Sequence, residues 1–384
     1  MRIAIVRQRY TPYGGAERFI ERALPALERA GAEVTLIARS VEGWRSGRVQ
    51  TLDPFYLGSA WRDRSFAQAA RQAWQRGGFD LVQSHERIAG CDIYRAGDGV
   101  HRRWLEIRRE RAGALERLGI ALSAHHRYVL AEERRMFEHP RLRAVICNSA
   151  MVRGEILEAF RIGAERLHII PNGVDLEHFH PRHGATLRAS ARLGLGLGED
   201  DLAFLHVGSG FARKGLDLAI AALAQVTAAS GRRAVLLAAG RDRHAARFAE
   251  LARAARVGER VQLLGPREDV RPLYAAADCF ILPTRYDPFP GAALEALAMG
   301  LPAIVGRRSG AAETIRPGEN GWICEPEDVE GLARLMQNAA SRLAEDNSGR
   351  ALRAAARATA ENYGIDTMAR KLTDLYAALA AGAR

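Results

Sequence analysis

Short, nearly unbroken apolar runs recur along the chain, separated by longer stretches whose apolar residues are spaced three and four apart. Arg2–Val6 reads as a buried strand, followed by an amphipathic helix over Ala16–Ala30 that stops at Gly31, and a second strand over Glu33–Ala38. Strands are expected again at Phe79–Gln83, Asp92–Ala96 and Ala144–Asn148. Runs without alternation suit strands covered on both faces, and strand-helix alternation implies a parallel sheet between helical layers. A turn-rich segment opens with Pro171-Asn172-Gly173-Val174-Asp175, continues past Pro181 and ends in the Gly-rich Leu193–Gly198. The pattern then restarts, with strands predicted at Leu202–Val207, Ala234–Ala239, Val261–Gly265, Cys279–Pro283 and Pro302–Val305. Helices are predicted over Asp217–Ala228, Ala292–Met299 and Thr367–Ala381.

The expected architecture is therefore α/β: two doubly wound, Rossmann-like domains facing a cleft. The boundaries are 1–170 and 201–364, with 171–200 as a hinge and 365–384 as a final helix across the domain junction. A chain of 384 residues is long enough for two sizeable cores. One region departs from the pattern. His101 to Arg143 is helical and dense in Arg, with Trp104, Leu105, Ile107, Leu115, Leu118, Ile120, Tyr128 and Phe137 interleaved. A crossover needs only about a dozen residues, so this is an inserted excursion.

Charge sharpens the picture. The formal net charge is +11, which points to an anionic partner: nucleic acid, an acidic membrane surface or a phosphorylated substrate. An Arg-favouring genome accounts for the choice of Arg but less well for the surplus. Cys91, Cys147, Cys279 and Cys324 show neither pairing nor metal spacing, so reduced thiols and no metal site are expected. No apolar run approaches the roughly 18 residues of a membrane span, and the opening run is too short for a signal peptide. The chain is expected to stay where it is made.

Two segments carry candidate chemistry. In Phe204-Leu205-His206-Val207-Gly208-Ser209-Gly210-Phe211-Ala212-Arg213-Lys214-Gly215 a strand runs into a Gly-rich turn with two cations. Backbone N–H groups there can approach an anion, with Arg213 as a fork and Lys214 as a point charge for a pyrophosphate. Arg213 stands where a dinucleotide fingerprint wants its third Gly, which argues against NAD. The plainer reading is a tight turn with solvated cations. In Tyr286-Asp287-Pro288-Phe289-Pro290-Gly291-Ala292-Ala293-Leu294-Glu295 a helix starts near Gly291. The N–H groups of Pro290-Gly291-Ala292 and their successors have no partner within the helix, save that proline has none to offer. Asp287 precedes this start and Glu295 lies two turns on; both are acceptors for sugar hydroxyls, although either could be a solvated or capping residue. Glu295 lies in an almost wholly apolar helix, where a charge needs a partner. Gly14-Gly15, after the first strand, allows a further close approach at the carboxyl end of a sheet, though the pair alone is weak evidence.

Taken in order, the Gly14-Gly15 turn, the Pro171–Asp175 connector, the Gly208…Arg213-Lys214-Gly215 turn and the Asp287…Glu295 helix resemble the family 4 glycosyltransferases of the GT-B fold over nearly the whole chain. Within them, Gly208–Asp217 and Tyr94–Asp98 are most similar to lipopolysaccharide inner-core glucosyltransferases of the WaaG type. The resemblance implies a retaining, metal-independent hexosyltransferase with the acceptor on the N-terminal domain and a nucleotide-sugar donor, UDP-glucose as best guess, on the C-terminal one. It assigns the diphosphate to Arg213 and Lys214 and the ribose to Glu295. The donor phosphate and acceptor fall to Gly14 and Gly15, and the donor sugar to Asp287. The family's motif has Glu at both ends, so Asp287 is one methylene shorter. Asp98 takes the place facing the anomeric carbon, where many relatives carry His, and is a candidate catalytic group together with Asp287. The resemblance also implies front-face displacement assisted by the leaving diphosphate; the chain contains no D-x-D for a metal. A membrane-associating segment in such enzymes falls at 101–143, which predicts a cytoplasmic protein docked peripherally on the inner membrane near a lipid-linked saccharide. The alternative for that segment is a solvated helix pair packed on the first domain. Two other functions remain open. A nucleotide-sugar epimerase of similar fold would share the diphosphate site without needing an acceptor. A nucleic-acid-binding protein would explain the charge but not Asp287 and Glu295, so no nucleic acid is expected.

Overall fold

The computed structural model describes residues 1–11, 15–44, 47–226 and 232–381. Gly14 therefore lies outside the described residues. The chain forms two compact units, Met1–Gly173 with Ile365–Arg384, and Val174–Gly364.

The first unit contains β1 (Arg2–Val6), β2 (Arg9–Tyr10), β3 (Glu33–Ala38), β4 (Ser40–Val41), β5 (Arg48–Thr51), β6 (Leu81–Ser84), β7 (Ile93–Ala96), β8 (Ala144–Cys147) and β9 (Leu167–Ile169). Seven of these make a parallel sheet in the order β5-β3-β1-β6-β7-β8-β9, and β2 pairs with β4 in a small ribbon. The second unit contains β10 (Leu202–Val207), β11 (Ala234–Ala239), β12 (Val261–Gly265), β13 (Cys279–Leu282), β14 (Ala303–Gly306) and β15 (Gly321–Cys324), in the order β12-β11-β10-β13-β14-β15. Both sheets are parallel and open. Their first strand is central, and the chain works outward to one edge before crossing to the other side. Each sheet thus has a switch point, β1/β6 in one and β10/β13 in the other, where successive loops leave in opposite directions and open a crevice.

Burial follows the pleat. In β10, Ala203 and Leu205 join the core on one face while Leu202 and Phe204 join the core on the other. In β1, Ala4 and Val6 face one way and Ile3 and Ile5 the other. Period-2 apolar faces on both sides explain why these strands read as continuous apolar runs. Within the two large sheets, three strands escape a reading based on such runs, β5, β9 and β15, and all three are sheet edges; the two-residue β2 and β4 were not read either. β5 (Arg-Val-Gln-Thr) is exposed throughout.

Two boundary expectations need correction. The segment 171–200 is not a free connector: the chain leaves the first unit at Gly173, and Val174 onward belongs to the second. The helix Pro181–Gly194 packs against the helix Arg271–Ala276, where the Arg188 guanidinium donates to the carbonyls of Ala275, Ala276 and Ala277 and to Asp278. The final helix, Ile365–Ala381, is part of the first unit's core. It packs on the helix Gly15–Arg29 and buries Met368, Leu372, Leu375 and Tyr376 beside Ile3 and Ile5. The Tyr376 hydroxyl donates to Gln83 at 2.5 Å. The excursion resolves into three helices, His101–Arg111, Ala114–Leu122 and Ala124–Phe137, the last capped by Ser123. No described helix is long and apolar enough to cross a membrane.

Candidate active site

The loops leaving β10 and β13 meet at the second switch point. After β10 the backbone turns through Gly210 (φ 77°) into the short helix Phe211–Lys214 and out at Gly215. Gly215 is required twice over: its φ is 75°, and a Cβ there would lie 2.1 Å from the Pro283 carbonyl oxygen. The two loops are joined through their backbones as well. The Arg285 N–H donates to the Arg213 carbonyl at 2.9 Å, and the Thr284 hydroxyl donates to the same oxygen at 3.0 Å.

This packing sets the charged side chains. Lys214 is buried, and its ammonium pairs with the carboxylate of Asp287, also buried. Burial pulls the Lys214 pKa below the ordinary lysine range; Asp287 opposes that shift and Arg213 adds to it. Arg213 is half-buried alongside, with a guanidinium N–H on the Tyr286 carbonyl at 3.3 Å. Asp287 is fixed by its backbone: its N–H donates to the Arg308 carbonyl and its own carbonyl accepts from Gly310, both at 3.0 Å. The two cations expected to act together are therefore adjacent, and Lys214 is joined to the first carboxylate of the Asp287…Glu295 pair.

The helix Gly291–Ala298 starts after Pro290, where no side chain caps its first N–H groups. A Cβ on Gly291 would meet nothing within 4 Å, so open space lies in front of this end. First N–H groups without a side-chain cap, together with the helix dipole, make it suited to an anion or a sugar oxygen. Glu295, buried, accepts a hydrogen bond from the Tyr274 hydroxyl at 3.1 Å. The partner that a charge in this apolar helix demands is thus in place.

The sequence reading missed Arg285. Its guanidinium is buried, forks onto Asp217 at 2.7 and 2.8 Å, reaches Glu327 at 2.7 and 3.1 Å, and also bonds the Ala212 carbonyl. Burial opposes its charge, but the bonds to Asp217 and Glu327 outweigh this and raise its pKa. Arg285 holds the short helix Phe211–Lys214 in position through the carbonyls of Ala212 and Arg213. Arg285 stands three residues past β13, after Pro283 and Thr284, where an ordinary strand-end charge would stand, so no local signal marked it.

The remaining expected residues stand in the first unit. Gly15 begins the helix Gly15–Arg29. Asp98 is exposed in the turn after β7, with its carboxylate 3.9 Å from Arg7. Arg7, at the end of β1, lies 3.2 Å from Glu86, at the end of β6, so the β1/β6 switch point carries its own charged group. Burial raises the Glu86 pKa, although Arg7 works against the shift. Glu86 and Arg7 were not singled out from sequence; nothing in their local pattern separates them from ordinary strand-end charges.

Comparison with known proteins bears on the family and the fold. Residues 13–178 match Glycosyltransferase Family 4, and residues 189–358 match Glycosyl transferases group 1. A D-inositol 3-phosphate glycosyltransferase of Salinispora arenicola is 30% identical over 332 residues, covering 81% of this chain and 70% of that protein. The chain belongs to the family 4 glycosyltransferases. The lipopolysaccharide glucosyltransferase WaaG of Escherichia coli K12 is 26% identical to this glycosyltransferase over 345 residues, 88% of this chain and 89% of WaaG. Among solved structures, that of WaaG, a glycosyltransferase involved in lipopolysaccharide biosynthesis, superposes with a TM-score of 0.84 at 23% identity, covering 97% of this chain and 99% of WaaG. HepE of Anabaena in complex with UDP-glucose gives 0.72 at 20% identity, covering 98% and 100%. These likenesses establish the GT-B fold for this glycosyltransferase.

Proposed function

We propose that this glycosyltransferase moves a hexose, with glucose as the favoured sugar, from a UDP-sugar to a lipid-linked saccharide such as the lipopolysaccharide inner core, with retention of anomeric configuration. The observation that carries the reading is the buried Lys214–Asp287 pair at the β10/β13 switch point, next to Arg213 and the open end of the helix Gly291–Ala298. An ammonium has three donors, and Asp287 engages Lys214 through one carboxylate oxygen. The other donors, with Arg213, are available to the departing diphosphate. Cations already fixed in place stabilise developing charge without reorganising, and this is the role a metal would otherwise fill. Glu295 suits the ribose hydroxyls. Asp287 orients Lys214 and offers its remaining oxygen to the donor sugar. Asp98, exposed and close to Arg7, suits the side where the acceptor hydroxyl approaches.

The acceptor assignment rests on similarity to WaaG and on the basic excursion. We place the enzyme in the cytoplasm, docked on the inner membrane through 101–143, whose eleven arginines outnumber its six glutamates. The test is turnover with a panel of UDP-, GDP- and ADP-sugars, with and without EDTA, and with and without a lipid-linked saccharide. EDTA-insensitive transfer from one UDP-sugar is expected. Turnover of donor with no acceptor dependence and no free sugar released would instead identify an epimerase.

A further inference from the structure

We infer that the loop ahead of the helix Ser59–Gly77 is a second membrane-insertion element, beside the basic excursion. The inference rests on the membrane-docked reading above and extends it to a part of the chain that carries no excess charge.

Residues 54–61 (Pro-Phe-Tyr-Leu-Gly-Ser-Ala-Trp) are an uncharged stretch. Phe55 is 72% exposed and Leu57 68%, and Tyr56 and Trp61 are also exposed. Such a cluster is costly in water and is not the product of a loose loop. The Phe55 and Trp61 rings meet edge to face at 5.6 Å. Arg39 anchors the base of the loop: its guanidinium bonds Asp53 at 2.5 Å, the Pro54 carbonyl at 2.9 Å and the Arg62 carbonyl at 3.1 Å, and lies over the Tyr56 ring at 4.6 Å. The backbone is thus held while the large apolar tips remain in solvent. An element that is rigid at its base and apolar at its tip loses little conformational entropy on insertion.

Its neighbour supplies the charge. The helix Ala114–Leu122 exposes Leu115 (88%), Leu118 and Leu122 at helical spacing, while Ile120 is buried. Arg108, Arg109, Arg111 and Arg117 surround that row in the sequence. The two apolar groups lie beside helices that touch: His125, three residues after Leu122, lies 3.4 Å from Asp63, two residues after Trp61. The helices that follow them, Ser59–Gly77 and Ala124–Phe137, pack together. Arginines flanking the helix in the sequence fit anionic headgroups, although Arg108 also pairs with Glu116 at 2.8 Å, and Trp and Tyr beside an aliphatic tip suit the interfacial depth of a bilayer. That combination selects an anionic lipid surface as the occupant.

The experiment is co-sedimentation of the full chain with vesicles of phosphatidylcholine and increasing phosphatidylglycerol, alongside sedimentation velocity without lipid. Three proteins are compared: wild type, the loop variant Phe55→Ser/Leu57→Ser/Trp61→Ser, and the helix variant Leu115→Ser/Leu118→Ser/Leu122→Ser. The proposal expects wild-type binding to rise with phosphatidylglycerol and the loop variant to lose about tenfold or more in partitioning. Its thermal unfolding and donor hydrolysis should match wild type. Loop-variant binding equal to wild type, with the helix variant impaired, overturns the second element and leaves the docked enzyme standing. No wild-type binding at any lipid composition overturns both. A wild-type dimer that the loop variant converts to monomer overturns the proposal by showing that a second copy covers the loop.

Discussion

The two sheets share one strand order and place charged residues at the same point, yet they treat those charges differently. At β10/β13, Lys214, Asp287, Arg285 and Glu295 are all buried, and each has a named partner. At β1/β6, Arg7 and Glu86 are only part-buried, and Asp98 stands in solvent 3.9 Å from Arg7. The difference fits the two sides of the proposed reaction. A nucleoside diphosphate is a fixed, highly charged ligand, and its leaving charge is best met by groups that do not move. On the proposed reading the acceptor approaches from solvent, so its side can remain open. The fold supplies the crevice twice, and the side chains decide which crevice is rigid.

The comparison can be broken most severely at Arg285. Arg285→Ala leaves Asp217 and Glu327 without their guanidinium and should cost about 3 kcal/mol. For a unit of this size that is a fall of roughly 6–12 °C in melting temperature, read by calorimetry. An unchanged melting temperature would mean that the second switch point does not depend on its buried network. Next in size, Lys214→Ala should lower turnover by a factor on the order of 100 or more while the protein remains folded. Because burial lowers the Lys214 pKa, the wild-type rate should fall on the alkaline side below the ordinary lysine range, as the ammonium loses its proton. Lys214→Arg should move that limb upward, and a pH profile unaltered by Lys214→Arg would assign the limb to another group. A smaller effect is expected at Glu295. Glu295→Gln should raise the donor KM by about tenfold with kcat nearly kept, because a uniform contact to the ribose is lost. The mildest change sharpens the other half of the comparison. Asp98→Asn should alter stability by no more than about 0.5 kcal/mol and leave donor hydrolysis unchanged, while transfer to acceptor falls. Equal losses in hydrolysis and transfer would place Asp98 on the donor side.

The same contrast explains what was legible in the sequence. Leu202–Val207, Ala234–Ala239 and Cys279–Leu282 are buried on both faces, so their apolar runs announced them. β5 is exposed throughout and β9 partly so, and they left no such run; β15 is largely buried, but its run is only four residues long and bounded by Asn320 and Glu325. Arg213, Lys214, Asp287 and Glu295 were readable because Gly-rich turns and an apolar helix make a charge conspicuous. That Lys214 would pair with Asp287 was not readable, since it depends on two loops separated by 73 positions meeting at a switch point. The placement of 174–200 in the second unit was hidden for a related reason. Pro and Gly marked its turns, while no local pattern marked Arg188 and Arg192, which dock its helix on Arg271–Ala276.

The central claim is that Lys214 holds the donor diphosphate. Its most direct test is calorimetric titration of UDP into the wild-type enzyme and into Lys214→Ala, at matched salt and pH. A rise in Kd by a factor on the order of ten or more in the variant is the predicted result, because a buried charge-assisted contact to phosphate is lost. Equal affinity in the two proteins would contradict the account.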